Sequence, residues 1–166
     1  MGASFSELRR AAMRLRRGED ALQRGPVETA ASRRPWILAK CAVTLDVRIA
    51  TRTRDARWVT GPAARVRGRR VRQRLDAILV GSGTILADDP WLTARRPGRE
   101  PVRVVFDRRG RTPASARLFT AVGGGPVWLV HGPAASADWR NAVTEQGARC
   151  VEVGPKATVL EGLERL

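Results

Sequence analysis

Residues 76–90 read DAILVGSGTILADDP, and they give the clearest indication of the fold. Its first part, Ala77–Gly81, is a short apolar run of the kind that forms a strand covered on both faces. Two glycines allow a close backbone approach after the strand, and residues 84–89 are predicted as a short helix that Pro90 ends. The stretch therefore predicts a strand, a tight corner and a helix, as in a β-α-β unit.

The alternation of strands and helices continues on both sides of this stretch. Apolar runs predict further strands, at residues 36–43, 102–107, 127–130 and 149–153. Further helices are predicted at residues 62–75, 136–146 and 158–166. Because strands separated by helices form largely parallel sheets, the expected fold class is α/β. Ligands of such sheets bind at the carboxyl ends of the strands, so candidate site residues are sought just after each strand.

Residues 1–34 differ in character from the rest of the chain. Ser4 and Glu7 have the spacing of a capping box, and apolar residues then recur at helical spacing. The stretch at 19–34 is polar and contains a Gly-Pro pair, which is typical of a linker. The sequence therefore predicts an N-terminal helix and linker at 1–34, followed by one domain at 35–166.

The chain is strongly basic, with 31 Lys and Arg against 16 Asp and Glu and a net charge of +15. A charge of this size raises the question of nucleic-acid binding. Only Lys40 and Lys156 are lysines, although either basic side chain neutralises phosphate equally well. The arginine bias favours a solvated basic surface, for example the outer face of the helix at 62–75, with Arg65, Arg69, Arg70 and Arg72 outside. A nucleic-acid-binding module stays open as an alternative.

Few residues of metal-binding types occur in the chain. Cys41 and Cys150 are far apart, without Cys or His at metal-ligand spacing, and are expected to be buried, reduced thiols. His131, the single histidine, is expected at a strand end. We predict no metal site and no side chain that acts as a chemical catalyst. No apolar run approaches the roughly 20 residues that span a bilayer, and no signal-peptide pattern is visible, so a cytoplasmic protein is expected.

Three stretches resemble a known family. They are residues 40–62, residues 76–95, and residues 104–107 with the Arg111-Thr112-Pro113 that follows. In order and spacing they are similar to the reductase domain of the bifunctional deaminase/reductase of riboflavin biosynthesis, and GTILADDPWLTAR at 83–95 is the most specific match. The resemblance covers about residues 35–166. It implies a dihydrofolate-reductase-like, three-layer α/β/α fold with a largely parallel mixed sheet.

The same resemblance implies a reaction and the residues that serve it. The family uses NADPH to reduce the ribosyl group of 5-amino-6-(5-phosphoribosylamino)uracil, a phosphorylated pyrimidine, to a ribityl chain. Cofactor contacts are implied at Ala42, Trp58, Thr84, Asp88 and Arg108, and substrate contacts at Ala56, Leu92 and Arg95. Arginine suits a bidentate grip on a substrate phosphate. Since members of this fold often pair, a homodimer is expected.

This sequence departs from the family at three places. Val47 stands where the family usually has glycine, which is costly if the turn needs a positive φ. Ala56 replaces a substrate-contacting serine, and an unpaired substrate group costs about 1–3 kcal/mol. The chain ends at Leu166, before the family's glycine-rich cofactor turn, and lacks the deaminase zinc motifs. The domain is therefore expected to be incomplete at its C-terminus, and a truncated, weakly active or inactive homologue is the alternative to an active reductase.

Overall fold

The structure is a computed structural model, and it describes residues 36–53, 55–56, 58–94, 98, 100–158 and 161–162. The chain divides into two compact units, Met1–Gly61 and Pro62–Leu166, and each is described by itself. The helix and linker predicted at 1–34 lie outside the described residues. Of the helix predicted at 158–166, only residues 161 and 162 are described as helical.

A parallel sheet forms the centre of the second unit. Its four described strands are β1 (Ala77–Gly81), β2 (Val102–Phe106), β3 (Val127–His131) and β4 (Arg149–Glu152). They lie side by side in the order β1-β2-β3-β4, and every neighbouring pair is parallel. The expected α/β class is confirmed. Since all four strands run in the same direction, their carboxyl ends meet at one edge of the sheet.

Three helices of the second unit begin and end where local chemistry favours it. They are α1 (Pro62–Arg72), α2 (Ser82–Asp88) and α3 (Ala137–Glu145). Proline at the first position of α1 loses no helical hydrogen bond. Ser136 caps α3, because its side chain accepts the N–H of Trp139 at 3.2 Å. α2 follows β1 without a connecting residue and ends at Asp88, because the next residue, Asp89, has a φ of 41° and does not continue the helix. It begins two residues earlier than the sequence predicted.

One face of the sheet carries the hydrophobic core. Val105 and Leu129 are fully buried there, and Ile85 of α2, Val143 of α3 and Leu118 of the β2–β3 connection pack on them. Burying a side chain of this size contributes about 1.5–3 kcal/mol. The core therefore holds α2 against the sheet and fixes the corner between β1 and α2.

Arg103 is a charged residue inside this core. Only 4% of it is exposed. Its guanidinium donates to the carbonyl of Gly125 at 2.9 and 2.6 Å, to that of Leu118, and to that of Trp91 at 3.3 Å. A Cβ at Gly125 would lie 2.1 Å from the carbonyl oxygen of Pro101, so this close approach requires glycine. Burial lowers the pKa of Arg103, and the charge of Glu100 opposes that shift.

The first unit differs from the sequence prediction. Residues 36–53, as described, contain no strand or helix, so the strand predicted at 36–43 is wrong for this structure. Ile37 is 61% exposed, and Cys41, expected to be buried, is exposed as well. An apolar run forms a strand only where a neighbouring strand accepts its backbone hydrogen bonds, and the run itself does not reveal that neighbour. In the second unit, Cys150 is half-buried in β4, and His131 ends β3 as predicted, buried against the Trp139 ring.

Candidate functional site

A cavity of about 350 Å³ opens at the edge where β1 and β2 end. It is lined by the glycine corner that joins β1 to α2 and by the loop that follows β2. The lining residues are Gly81, Ser82, Gly83, Phe106, Arg108, Arg109 and Arg111. This is the edge at which parallel α/β sheets bind their ligands.

The glycines of the corner border empty space. A Cβ added at Gly81 or Gly83 would meet no protein atom within 4 Å. Gly81 has a φ of −83°, which any residue adopts, so its backbone conformation does not require glycine. Protein packing therefore gives no reason for glycine at these two positions. Their small size leaves room for a ligand to approach the backbone.

The loop after β2 is held by the buried carboxylate of Asp107. Its Oδ2 accepts the N–H groups of Arg111 at 2.8 Å and Thr112 at 2.6 Å. Gly110 has a φ of 65°, and a Cβ there would lie 2.7 Å from the Trp139 ring. Trp139 also donates its indole N–H to the carbonyl of Thr112 at 2.8 Å. The loop backbone is therefore attached both to the end of β2 and to α3.

Three arginine side chains give the cavity a positive lining. Arg111 donates to Ser82 Oγ at 3.0 Å, which connects the loop to the first residue of α2. Arg108 donates to the carbonyl of Ala157 at 3.0 Å. A guanidinium has five N–H donors and binds phosphate or carboxylate oxygens in pairs. The arrangement is suited to an anionic ligand that lies along the glycine corner.

The predicted site residues of the second unit differ in how far they are buried. Thr84 and Asp88 are both exposed and lie one turn apart on the same face of α2. Arg108 lines the cavity. Leu92 is only 3% exposed and belongs to the core, with a φ of 55°. Arg95 lies outside the described residues.

The predicted site residues of the first unit are Ala42, Ala56 and Trp58. Ala42 is half-buried, Ala56 is exposed, and Trp58 is 72% exposed. Val47, near them in sequence, has a φ of 62°, so the turn does require the conformation that glycine would adopt easily. The neighbouring Thr44 hydroxyl donates to the Asp46 carboxylate and holds the pKa of Asp46 below its usual value.

Sequence reasoning missed four residues around these features. Ser82, Arg109 and Arg111 were not assigned a role, although the last two lie within four residues of the end of a correctly predicted strand. Their position shortly after a strand could have identified these arginines. Arginine is so frequent in this chain, however, that single arginines did not stand out. Arg72 was predicted on the outer face of its helix, which is wrong: it is half-buried and donates to the carbonyl of Thr93 at 3.2 Å.

Two kinds of feature are missing from the part of the chain that the structure describes. That part contains no group of three or more His, Cys, Asp and Glu residues able to hold a metal ion. It also contains no helix that is long and apolar enough to cross a membrane.

Comparison with known proteins identifies relatives of this chain. A family model described as the RibD C-terminal domain matches residues 35–166. The chain is 43% identical over 88 residues to the riboflavin biosynthesis protein RibD of Actinobacillus pleuropneumoniae, covering 52% of this chain and 23% of that protein. It is 44% identical over 90 residues to the 2,5-diamino-6-ribosylamino-4(3H)-pyrimidinone 5′-phosphate reductase of Methanothermobacter thermautotrophicus, covering 52% of this chain and 41% of that one. The matched part is thus less than half of either relative.

Solved structures of related proteins also align with this chain. The Acinetobacter baumannii RibD (form 2) aligns with a TM-score of 0.67 at 28% identity, covering 86% of this chain and 39% of that one. The Thermotoga maritima diaminohydroxyphosphoribosylaminopyrimidine deaminase/5-amino-6-(5-phosphoribosylamino)uracil reductase aligns with a TM-score of 0.57 at 30% identity, covering 77% of this chain and 41% of that one. These alignments confirm the fold that the sequence resemblance implied.

Proposed function

The chain belongs to the RibD C-terminal domain family, and from this premise we propose that it is a reductase of riboflavin biosynthesis. The proposed reaction is the NADPH-dependent reduction of 5-amino-6-(5-phosphoribosylamino)uracil to its ribitylamino product. The names of the Thermotoga maritima and Methanothermobacter thermautotrophicus relatives, which include a uracil reductase and a pyrimidinone 5′-phosphate reductase, support this proposal. We expect the protein to act in the cytoplasm as a homodimer.

One observation within this chain supports the cofactor assignment above all others. The cavity at the ends of β1 and β2 joins an open glycine corner to three arginines. NADPH is a dinucleotide with a diphosphate and an additional phosphate, so its binding needs both a close backbone approach and positive charge. The cavity offers both. We therefore propose that Arg108, with Thr84 and Asp88 on α2, contributes to cofactor binding.

When bound, NADPH supplies the hydride, so the chain needs only to orient the reactants and exclude water. We propose that Ala42 and Trp58 complete the cofactor contacts. Substrate contacts are proposed at Ala56, Leu92 and Arg95. Because the Leu92 side chain is packed in the core, its contact would come from the backbone. With alanine at 56, the hydroxyl contact expected of the family is absent, which predicts weaker substrate binding than in members with serine.

Gly83→Ala tests the proposal without endangering the fold. Alanine is favoured over glycine in a helix by about 0.8–1 kcal/mol, and the added Cβ meets no protein atom within 4 Å. We expect the variant to be at least as stable as the parent. NADPH, titrated by fluorescence, is expected to bind at least about tenfold more weakly, because a methyl group fills the space that the cofactor would occupy.

Gly68→Ala is the matched control for this experiment. Gly68 lies within α1, and a Cβ there also meets no atom within 4 Å. It should stabilise the protein in the same way and leave the NADPH affinity unchanged. Unaltered NADPH binding by Gly83→Ala, or no NADPH binding by the parent at millimolar cofactor, would refute the proposed site. NADPH binding without turnover would instead support the weakly active or inactive homologue.

A further inference from the structure

Asp107 joins β2 to the arginine loop, which we define as residues 108–112. It directly follows β2, and its side chain is completely buried. Besides the two bonds of Oδ2 to the N–H groups of Arg111 and Thr112, its backbone carbonyl accepts the N–H of Gly110 at 3.1 Å. One residue therefore closes the loop on itself and determines where the arginine side chains begin.

The burial of the Asp107 side chain is not explained by packing. Its second oxygen, Oδ1, is buried and has no hydrogen-bond partner among the described residues. Burying a carboxylate that is only partly hydrogen-bonded costs free energy, and such a group in a folded protein calls for a reason. The loop that this carboxylate closes carries the three arginines that line the cavity, so the carboxylate determines where their side chains begin.

Two further contacts attach the arginine loop to its surroundings. Trp139 of α3 packs against Gly110 and donates to the carbonyl of Thr112. Arg111 reaches Ser82 at the start of α2. The loop is thus connected to β2, α2 and α3 by the protein's own hydrogen bonds. A loop that is ordered in advance does not lose conformational entropy when its ligand binds, and affinity rises accordingly.

We propose that Asp107 is a positioning residue, whose buried carboxylate holds the arginine loop in the conformation that receives a phosphate group in the cavity. Asp107 does not touch the ligand and acts through the backbone of residues 108–112. The inference rests on the proposed function only for the identity of the ligand as NADPH, because any phosphate-bearing ligand of this cavity would need the same loop.

Inorganic pyrophosphate is a suitable probe, since it tests the cavity independently of hydride transfer. Its affinity for the full chain would be measured by isothermal titration calorimetry, at a temperature where circular dichroism shows each variant to be folded. Asp107→Ala removes the acceptor and is expected to weaken pyrophosphate binding by about tenfold or more. Asp107→Asn keeps an acceptor of the same shape and is expected to stay within about threefold of the parent.

Thr93→Val is the matched control. Thr93 is also buried but lies outside the arginine loop and the cavity lining, and it accepts the hydrogen bond of Arg72 through its backbone carbonyl, so the substitution leaves the loop's bonds intact. Its pyrophosphate affinity should equal that of the parent. A folded Asp107→Ala variant with the parental affinity would show that Asp107 serves stability alone and would overturn the proposal. So would an Asp107→Asn variant as weak as Asp107→Ala, or a parent that does not bind pyrophosphate.

A measurement on the parent protein covers the case in which Asp107→Ala does not fold. The amide hydrogens of Arg111 and Thr112 should exchange slowly with solvent before any ligand is added, because Asp107 accepts both of them. Exchange at the rate of an unprotected amide would overturn the proposal. NADPH is titrated in parallel: binding of pyrophosphate but not of NADPH would reject the proposed function and leave the role of Asp107 standing.

Discussion

Val47 is a β-branched residue in a turn that requires a positive φ. Its φ is 62°, and half of its side chain is exposed, so it gains little from burial. Holding a β-branched residue in this conformation costs roughly 1–2 kcal/mol, whereas glycine gives up about 0.5–1 kcal/mol in backbone entropy. We expect Val47→Gly to raise the free energy of unfolding by about 0.5–1 kcal/mol, measured by urea denaturation.

Val43→Gly provides the comparison for this prediction. Val43 is exposed to a similar degree and does not have a positive φ, so glycine there brings the entropy cost without relief of strain. It should destabilise the protein. If Val47→Gly also lowered the free energy of unfolding, the positive φ would not be a source of strain in this turn.

At the scale of single residues, only part of the candidate site was predictable from the sequence. The strain at Val47 was predictable, because the family that the sequence resembles usually has glycine at this position. The positions of Thr84 and Asp88 on one helix face followed from their spacing of four residues. The role of Ser82 did not follow from sequence, because it depends on a hydrogen bond from Arg111, 29 residues away. The role of Asp107 did not follow either, because the burial of its side chain and the two backbone N–H groups that it accepts are set by the folded loop.

At the scale of secondary structure, the second unit was predicted well and the first was not. β1, β2 and β3 are short, mostly apolar runs with a helix or turn on either side, and the local pattern is sufficient to recognise them; β4, Arg149–Glu152, has only two apolar residues, at its centre. The run at 36–43 has the same composition but forms no strand. Composition fixes which segments can become strands. The pairing that makes them strands depends on residues elsewhere in the chain.

Arg103 donates hydrogen bonds to residues that are far from it in the sequence. We therefore expect its substitution to lower the free energy of unfolding. Arg103→Met would keep the length of the side chain and leave the carbonyls of Gly125, Leu118 and Trp91 without their donor. A buried polar group that loses its partner costs about 1–3 kcal/mol. We expect a loss on the order of 3 kcal/mol in the free energy of unfolding, because three such groups are affected and some will find water.

The comparison for Arg103 is an arginine at the surface of the same sheet. Arg149 of β4 is exposed and stacks on the Trp128 ring at 4.5 Å. An exposed cation–π contact contributes about 0.5–1 kcal/mol, so Arg149→Met should cost no more than that. Equal losses for the two variants would mean that the buried hydrogen bonds of Arg103 contribute little to stability. Urea denaturation of both proteins decides between these outcomes.

At the scale of the whole molecule, the net charge of +15 should make stability depend on salt. Charges of one sign repel each other in the compact state, and salt screens this repulsion. Between about 0.01 and 1 M NaCl the screening length falls from about 30 Å to about 3 Å. If self-repulsion costs about 1 kcal/mol at low salt, the melting temperature should rise by about 2–4 °C over this range. Calorimetry at several salt concentrations would measure the change.

Changing the salt in that experiment distinguishes general charge screening from binding of an anion at the site. KCl should reproduce the NaCl curve, since screening depends only on ionic strength. Pyrophosphate should stabilise the protein beyond its ionic strength, because a ligand that binds only the folded state adds free energy that grows with its concentration. Asp107→Ala should retain the response to NaCl and lose most of the extra response to pyrophosphate. A melting temperature that falls with added NaCl would show that attractive ion pairs outweigh the excess of arginine, contrary to our expectation.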